Sequence, residues 1–479
     1  MVEGKVLLPW GTLSCLPQGA EIKGKSRKKF VYWNRFTGLL AQIGPETSEQ
    51  RRRSMSKKWD QIPAINELDI ANKRVFMRLD LNVPLKDGEV ADDTRLRAVL
   101  PTINYALARS ARLVLASHLG RPKGQIKSEL SMQPVAKRLS ALLAEKIGRD
   151  PEKDPPIEIM VSDFPVGECA KKLAQDLRGG EIVLLENLRW DPRETKNGEE
   201  YAKELASYAE VYINDAFGTV HRAHASTAGV VSFKNKGQYG VGFLIKKEIE
   251  ALGKLLHEPA TPFVAIMGGA KVSDKIGLIR SLMKQCQVLL IGGAMAYTFL
   301  KAKGLEIGSS RFEETELDLA RSLLEQAKRE KVEICLPVDH IAATAIEEDA
   351  ETRVVQTPLE RELLDTEQGF DSAEMGLDIG PKSREIFAKH IESAGKVVWN
   401  GPMGVFEVAP FAGGTLAVAQ ALAKSSAYTV VGGGDSAAAI RKFNLHKKVD
   451  HVSTGGGASL SFLQGEFLPG LEVLCDEHY

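Results

Sequence analysis

Four segments in the first half of the chain place cationic side chains at one kind of position, just after a short, mostly apolar run. Val75–Leu79 is followed by Asp80-Leu81-Asn82, with Arg95 further along, and Leu113–Ala116 by His118-Leu119-Gly120-Arg121. Ile182–Leu185 leads to Glu186-Asn187-Leu188-Arg189, and Val211–Ile213 leads to Asn214-Asp215 and then His221-Arg222-Ala223-His224. The planar guanidinium fork makes paired, charge-assisted hydrogen bonds to carboxylate and phosphate. One such arginine alone reads as a surface salt bridge. Four at equivalent positions point to a small polyanion held on one rim.

The second half has a different chemistry at the same kind of position. Phe263–Ile266 runs into Gly268-Gly269-Ala270-Lys271-Val272-Ser273-Asp274-Lys275, and Val288–Ile291 into Gly292-Gly293. Val397–Trp399 runs into Asn400-Gly401-Pro402-Met403-Gly404-Val405-Phe406-Glu407, and Thr429–Val431 into Gly432-Gly433-Gly434-Asp435-Ser436. Ser453-Thr454-Gly455-Gly456-Gly457 follows near the end. Glycine allows backbone N–H groups to approach phosphates closely, and a helix N-terminus favours negative charge. One glycine pair reads as a tight turn. Five such loops read as a nucleotide site. Lys271 and Lys275, four apart, would share a face on a helix. Asp435 alone reads as a helix N-cap; beside this glycine run it is a candidate magnesium anchor, since Mg²⁺ binds through few carboxylates plus substrate phosphates. An anion site on one rim and a nucleotide site on another suggest transfer between them, with closure excluding water.

Parallel sheets are the elements that would position such rims. The aliphatic runs named above, with Ile334–Leu336, are short and unalternating, as in strands buried on both faces. The segments between them read as helices. In one, Leu317, Ala320, Leu324 and Ala327 share a face, with Ser310 and Glu313 as a capping box before them. Alternating strands and helices predict an α/β fold with helices on both sides of parallel sheets. Ligands then sit outside the carboxyl ends of the strands. The number of strands and the change in loop chemistry divide the chain near residue 245, where Lys246–Leu256 reads as a helix able to connect two lobes.

Composition is compatible with two such lobes. The chain has 479 residues, 43% apolar and 26% charged, with a formal net charge of zero. Neutrality gives no global attraction to nucleic acid or anionic membrane. The longest apolar stretch, Val288–Leu300, is 13 residues, short of the roughly 18–20 that cross a bilayer. Five scattered cysteines without CxxC spacing read as free thiols in a reducing compartment, not a zinc site. Residues 1–54 stand apart: ten Lys/Arg against four Asp/Glu, a balance of +6 that leaves −6 for the rest. Three readings are open for them: a mis-assigned start with Met55 the initiator, a disordered basic appendage, or a transit peptide. Glu3, Glu21, Glu46 and Glu49 weaken the last.

The runs RLDLNVP (Arg78–Pro84), SHLGRP (Ser117–Pro122), ENLR (Glu186–Arg189), NDAFGTVHRAHAS (Asn214–Ser226), GGAKVSDKI (Gly268–Ile276), WNGPMGVFE (Trp399–Glu407), GGGDSA (Gly432–Ala437) and STGGGASL (Ser453–Leu460) resemble the phosphoglycerate kinase family. The resemblance covers residue 57 or so to the C-terminus, with the motifs in the family's order.

It implies two Rossmann-like lobes, each a parallel sheet sandwiched by helices, joined by a hinge with a deep interdomain cleft. A phosphoglycerate-binding lobe would span 55–245 and a nucleotide-binding lobe 246–460, with 461–479 returning to the first. The implied reaction is Mg²⁺-dependent, reversible transfer between 1,3-bisphosphoglycerate and ADP, giving 3-phosphoglycerate and ATP, by a cytoplasmic monomer.

The resemblance also implies roles. Asp80, Leu81 and Asn82 border the phosphoglycerate, and His118, Leu119, Gly120, Arg121, Arg189 and Arg222 form its basic patch. Arg95 and Lys271 reach the transferring group. Lys275 lies on the nucleotide phosphates, Gly376 lines the adenine pocket, Asn400 lies near the phosphates, and Glu407 is the ribose acid. Gly433, Gly434, Asp435 and Ser436 form the phosphate and metal loop, with Asp435 nearest the metal; some members have Thr in place of Ser436. Both reacting oxygens belong to strong anions, so no general base is needed, and His118 and His221 are read as anion donors or local structure.

Rival readings lack their marks. The turn after the first strand, Asp80-Leu81-Asn82, is no G-x-G-x-x-G, and GGAKVSDK is no G-x-x-x-x-G-K-[ST]. A non-catalytic nucleotide binder would be expected to lose Arg95, Lys271 or Asp435, and all three are present.

Overall fold

The computed structural model describes residues 58–146, 157–357 and 369–475. The readings made for residues 1–54 lie outside the described residues.

The first half of the chain supplies β1 (Arg74–Leu79), the two-residue hairpin strands β2 (Leu85–Lys86) and β3 (Glu89–Val90), β4 (Arg112–Ala116), β5 (Ile159–Val161), β6 (Ile182–Leu184), β7 (Val211–Asp215) and β8 (Tyr239–Val241). Six of them form a parallel sheet in the order β5-β6-β4-β1-β7-β8. The second half supplies β9 (Phe263–Met267), β10 (Val288–Ile291), β11 (Glu333–Cys335), β12 (Asp339–Ala343), β13 (Arg353–Gln356), β14 (Met375–Ile379), β15 (Lys396–Asn400), β16 (Tyr428–Gly432) and β17 (His451–Val452). Its parallel sheet has the order β11-β10-β9-β15-β16-β17, and β13-β12-β14 form a small antiparallel sheet beside it.

The unalternating strands follow from burial on both faces. Val75, Met77 and Leu79 of β1 pack into a core with Leu96, Val99 and Ile103 of the helix Thr94–Leu107, whereas Phe76 enters the core on the opposite face with Tyr201 and Tyr212. Helices cover both faces of the two parallel sheets, so the chain is an α/β protein of two Rossmann-like lobes. The nine strands read from aliphatic runs are all present, within one or two residues at each end. The edge strands β5, β8 and β17 and the antiparallel sheet were not anticipated. The edge strands are only two or three residues long, and β12 and β14 carry Asp339, His340 and Asp378 within them, so no apolar run marks them.

The helix Phe243–His257 follows β8 and precedes β9. Its first turn is fixed by the buried Asp215 at the end of β7, which accepts hydrogen bonds from Ile245 N (3.1 Å) and Thr102 Oγ1 (2.6 Å), while Thr102 Oγ1 accepts from Phe243 N (3.0 Å). Burial pushes the Asp215 carboxyl up to about 6. Further along, Glu248 accepts from His451 Nε2 (2.8 Å), Thr454 N (2.7 Å) and Thr454 Oγ1 (2.9 Å), tying this helix to the loop after β17. The short helix Pro469–Glu472 lies against the first half: Trp59 Nε1 donates to Glu472 Oε1 (2.8 Å), Gly470 N donates to Val220 O (2.9 Å), and Asn214 Nδ2 donates to Gly470 O (3.3 Å).

The Ser310/Glu313 capping box does not form. Ser310 Oγ instead accepts from Gly376 N (2.9 Å), and Glu313 accepts from Val272 N (2.6 Å) and Ser273 N (3.1 Å), capping the start of a different helical segment. A carboxylate at N–H groups left free by a helix start is stabilised wherever it comes from in the chain. Local spacing therefore misassigned its partner. Among the described residues no helix is long and apolar enough to cross a membrane.

Candidate functional site

The carboxyl ends of β1, β4, β6 and β7 bring the cationic segments to one cleft of about 260 Å³. Asp80, Asn82, Arg95, His118, Gly120, Arg121, Arg189 and Arg222 line it, together with Gly218, Thr219 and His221. Arg95 NH1 lies 3.0 Å from both carboxylate oxygens of Asp80, which aims a side chain that is otherwise 39% exposed. Asn82 Oδ1 accepts from Gly120 N (2.8 Å), and Arg189 NH1 donates to Gly120 O (3.0 Å), so the SHLGRP turn is held between two other loops.

Leu81 and Leu119 bury their side chains in the core, and their N–H groups already donate to Ser117 Oγ (2.9 Å) and Asn187 Oδ1 (3.2 Å). They position the turns from behind.

The cleft is electropositive, and its cations are under-compensated. The guanidinium groups of Arg121 and Arg222 have no carboxylate partner among the described residues. Arg189 Nε is buried without a hydrogen-bond partner, and burial, with Arg78 and Arg222 nearby, pulls this guanidinium down to about 10. Burial, with Arg78 and Arg189 nearby, holds His118 well below the usual histidine range and, with Arg222 as well, His224 at about 3, so both are neutral at pH 7. Arg78 NH2 lies 3.1 Å from His118 Nδ1; an arginine can only donate, so His118 carries its proton on Nε2. Such a site lowers its own free energy by taking an anion.

Beneath the cleft lies a buried network that sequence reading did not single out. Arg78, fully buried on β1, donates from Nε to Ser226 Oγ (2.8 Å) and from NH1 to Leu79 O. Ser226 in turn donates to the fully buried Glu194 through Oγ (2.6 Å) and N (3.1 Å). One signal was available: Arg78 interrupts the apolar run of β1, where only a paired charge is tolerated.

The fifth glycine loop belongs here too. Gly455, Gly456 and Gly457 line the cationic cleft, and a Cβ on Gly457 would lie 3.7 Å from His221 Nε2. Its glycine run and its place in the second half of the sequence group it with the nucleotide loops. The Glu248 tether to Thr454 carries it toward the first sheet instead.

On the second sheet the loops after β9, β15 and β16 converge. Lys275 Nζ donates to Gly268 O (2.7 Å), Asn400 O (3.2 Å) and Asn400 Oδ1 (2.5 Å), and Asn400 Nδ2 donates to Gly432 O (2.8 Å). Gly401, at φ +95°, is required here: a Cβ would meet Gly268 O at 2.3 Å and Lys275 Nζ at 2.6 Å. Burial pulls Lys275 down to about 8, partly opposed by Asp435 and Asp274. Ser436 Oγ accepts from Gly401 N (2.6 Å), joining the GGGDSA loop to the same cluster.

Gly433 precedes the helix Gly434–Lys442, and Asp435 stands exposed in its first turn. Lys271 and Lys275 do not share a helix face: Lys271 lies in the exposed loop before the short 3₁₀ turn Ser273–Lys275, and only Lys275 turns into the cluster. Glu407 is exposed after β15. Gly376 lies on β14, where a Cβ would sit 1.8 Å from Tyr297 Oη, so any side chain there would close the space beside that ring. The two rims are within electrostatic reach of one another. Arg441, on the helix that Gly433 precedes, is shifted downward by burial and senses both Asp92 and Arg95.

Residues 65–466 match the family model described as Phosphoglycerate kinase. The chain belongs to the phosphoglycerate kinase family. It is 50% identical over 416 residues to the phosphoglycerate kinase of Anaeromyxobacter dehalogenans strain 2CP-C, covering 86% of this chain and 99% of that one. It is 49% identical over 414 residues to that of Pseudothermotoga lettingae, covering 86% and 98%. The structure of phosphoglycerate kinase from Coxiella burnetii superposes with a TM-score of 0.73 at 40% identity, covering 86% of this chain and 98% of that one. The chain is thus a kinase of a glycolytic family, and both rims described above fall within the matched residues.

Proposed function

We propose that the protein transfers a phosphoryl group reversibly between 1,3-bisphosphoglycerate and ADP, giving 3-phosphoglycerate and ATP, by direct in-line displacement after the two lobes close. The under-compensated arginine cleft carries this reading. Arg121, Arg189 and Arg222, with neutral His118 donating through Nε2, would hold the phosphate and carboxyl ends of phosphoglycerate, and Arg95, aimed by Asp80, would reach the transferring group. On the other rim Lys275, Asn400 and the Gly433-Gly434 backbone would hold the nucleotide phosphates, Gly376 the adenine and Glu407 the ribose, with Lys271 approaching the transferring group on closure. Phosphoryl transfer asks mainly for alignment and charge neutralisation, and the acceptor oxygens are already anionic, so the neutral histidines are not required as bases.

The residues fit Mg²⁺. Asp435 offers an exposed carboxylate in the first turn of a helix, beside a phosphate-binding loop. The ion, held by Asp435 and the nucleotide phosphates, would supply charge neutralisation.

The lobes are assigned to 55–245 and 246–460, with 461–479 returning to the first, and the helix Phe243–His257 between them is assigned as part of the hinge. The protein is read as a cytoplasmic monomer. ATP formation from 1,3-bisphosphoglycerate and Mg·ADP, followed with a coupled assay, tests the reading. Nucleotide binding without transfer would make the protein a non-catalytic binder and sink it.

Lys275 gives the nucleotide rim a pH dependence of definite sign. Its ammonium is lowered from 10.5 to about 8 by burial, so the free protein loses this charge as pH rises through about 8. Nucleotide affinity measured calorimetrically at fixed Mg²⁺ is expected to fall between pH 7 and 9, by up to about tenfold per pH unit for one linked proton. Lys275→Met should bind more weakly and lose this slope. A flat wild-type profile would take Lys275 off the phosphates. The same shift acts oppositely on folding. The unfolded chain holds this proton up to 10.5, so this lysine favours the folded state increasingly as pH rises from about 8.

A further inference from the structure

Glu333 and Cys335 stand on β11, the outer edge strand of the second parallel sheet, and His390 of the helix Pro381–Glu392 meets them there. We propose that these three side chains form a zinc(II) site.

Three observations converge on it. The first is placement. Glu333 and Cys335 are two apart on β11 and so project from the same face of the strand. His390 reaches them from the last turn of the helix Pro381–Glu392.

The second is distance. Cys335 Sγ lies 3.5 Å from His390 Nε2 and 3.6 Å from Glu333 Oε1, and His390 Nε2 lies 3.9 Å from the same Glu333 oxygen. Ligand atoms at zinc's usual bond lengths, about 2.0–2.3 Å, stand roughly 3.3–3.6 Å apart around a tetrahedron. Both sulfur distances already match, and the third needs a few tenths of an ångström from Glu333, whose side chain is 61% exposed and able to move.

The third is chemistry. One thiolate, one imidazole and one carboxylate suit zinc, whereas Mg²⁺ and Ca²⁺ call for oxygen ligands throughout. Binding would release the thiol proton, and water would complete the fourth position.

The scaffold is rigid where it needs to be. Just beyond Cys335 the chain is clamped to the start of the His390 helix: Val338 N and Asp339 N donate to Ser383 Oγ (3.0 and 3.1 Å), and Asp339 accepts from Lys382 N (2.9 Å) and Ser383 N (2.8 Å). The strand and the helix are thus joined at one end, and zinc would join them again at the other. Sequence reading set zinc aside because it looked for CxxC spacing. The ligands here come from a strand and a helix more than 50 residues apart.

The test uses the full chain, stripped with a chelator and returned to zinc under a competing chromophoric chelator. The expected result is one zinc per chain, with Cys335→Ser and His390→Ala each weakening affinity by more than about tenfold. Cobalt(II) in place of zinc should give a thiolate-to-cobalt charge-transfer band that Cys335→Ser abolishes. Glu333→Gln, at an exposed position, serves if either other variant fails to fold, and should weaken binding in the same direction. Zinc stoichiometry and affinity unchanged in folded variants, or a cobalt spectrum without the thiolate band, would overturn the proposal.

Discussion

Replacing Arg95 by alanine should lower turnover by about 10³–10⁵, the range measured for arginines that stabilise a transferring phosphoryl group. The side chain is well placed for that loss to be catalytic. Its polar contact is with Asp80, at 3.0 Å to both oxygens, and 39% of it is open to solvent, so its removal leaves no cavity in the core. Asp80 is in turn buried at the end of β1. The guanidinium is therefore aimed before substrate arrives, and little ordering remains to be done in the transition state. The effect should appear in kcat more than in KM for 3-phosphoglycerate, because Arg121, Arg189 and Arg222 still hold the ground-state anion. Arg95→Lys should recover part of the rate, since it restores the charge without the fork. Steady-state assay of the two variants decides the matter, and near-normal turnover in Arg95→Ala would remove this residue from the transferring group.

What could be read in the sequence, and what could not, divides along physical lines. Strands buried on both faces are short, mostly apolar runs without alternation, so β1, despite Arg78, and β4, β6, β7, β9, β10, β15 and β16 were legible, and with them the rims that their carboxyl ends build. Residues such as Arg121, Arg189 and Arg222 could be found because the topology of a parallel sheet sends every such loop to one edge. Pairings made across long separations could not. Glu313 looks local to Ser310 but caps a turn at Val272–Ser273, 40 or more residues away. The glycine loop at 455–457 looks like part of the nucleotide rim, but a hydrogen bond from Thr454 to Glu248 directs it to the anion cleft. Lys271 and Lys275 match a helical spacing, but the chain is not helical between them until Ser273. In each case spacing along the chain proposed one partner and tertiary packing supplied another.

Arg78→Met should be the most destabilising single change near the cleft, at about 3–5 kcal/mol, the usual cost of stripping one partner from a buried ionic group. Arg78 is fully buried and reaches the fully buried Glu194 through Ser226, with hydrogen bonds of 2.8 and 2.6 Å. Burial raises the Glu194 carboxyl above its ordinary value, and Arg78 is the largest influence opposing that rise. Without the guanidinium the carboxyl is forced higher still, and at pH 7 the folded chain must either keep an uncompensated buried charge or take up a proton. The sign of the pH dependence follows. A folded-state value above the unfolded one means that stability is lost as pH rises, so the penalty of Arg78→Met should be larger at pH 8 than at pH 5.5. Glu194→Gln removes the charge that Arg78 compensates. The double variant should therefore be more stable than the sum of the two single losses allows, with a coupling of about 0.5–3 kcal/mol. Urea unfolding of the four proteins at both pH values measures this. Additive losses with no pH dependence would mean that Arg78 contributes packing alone, and that the network beneath the cleft does not act through charge.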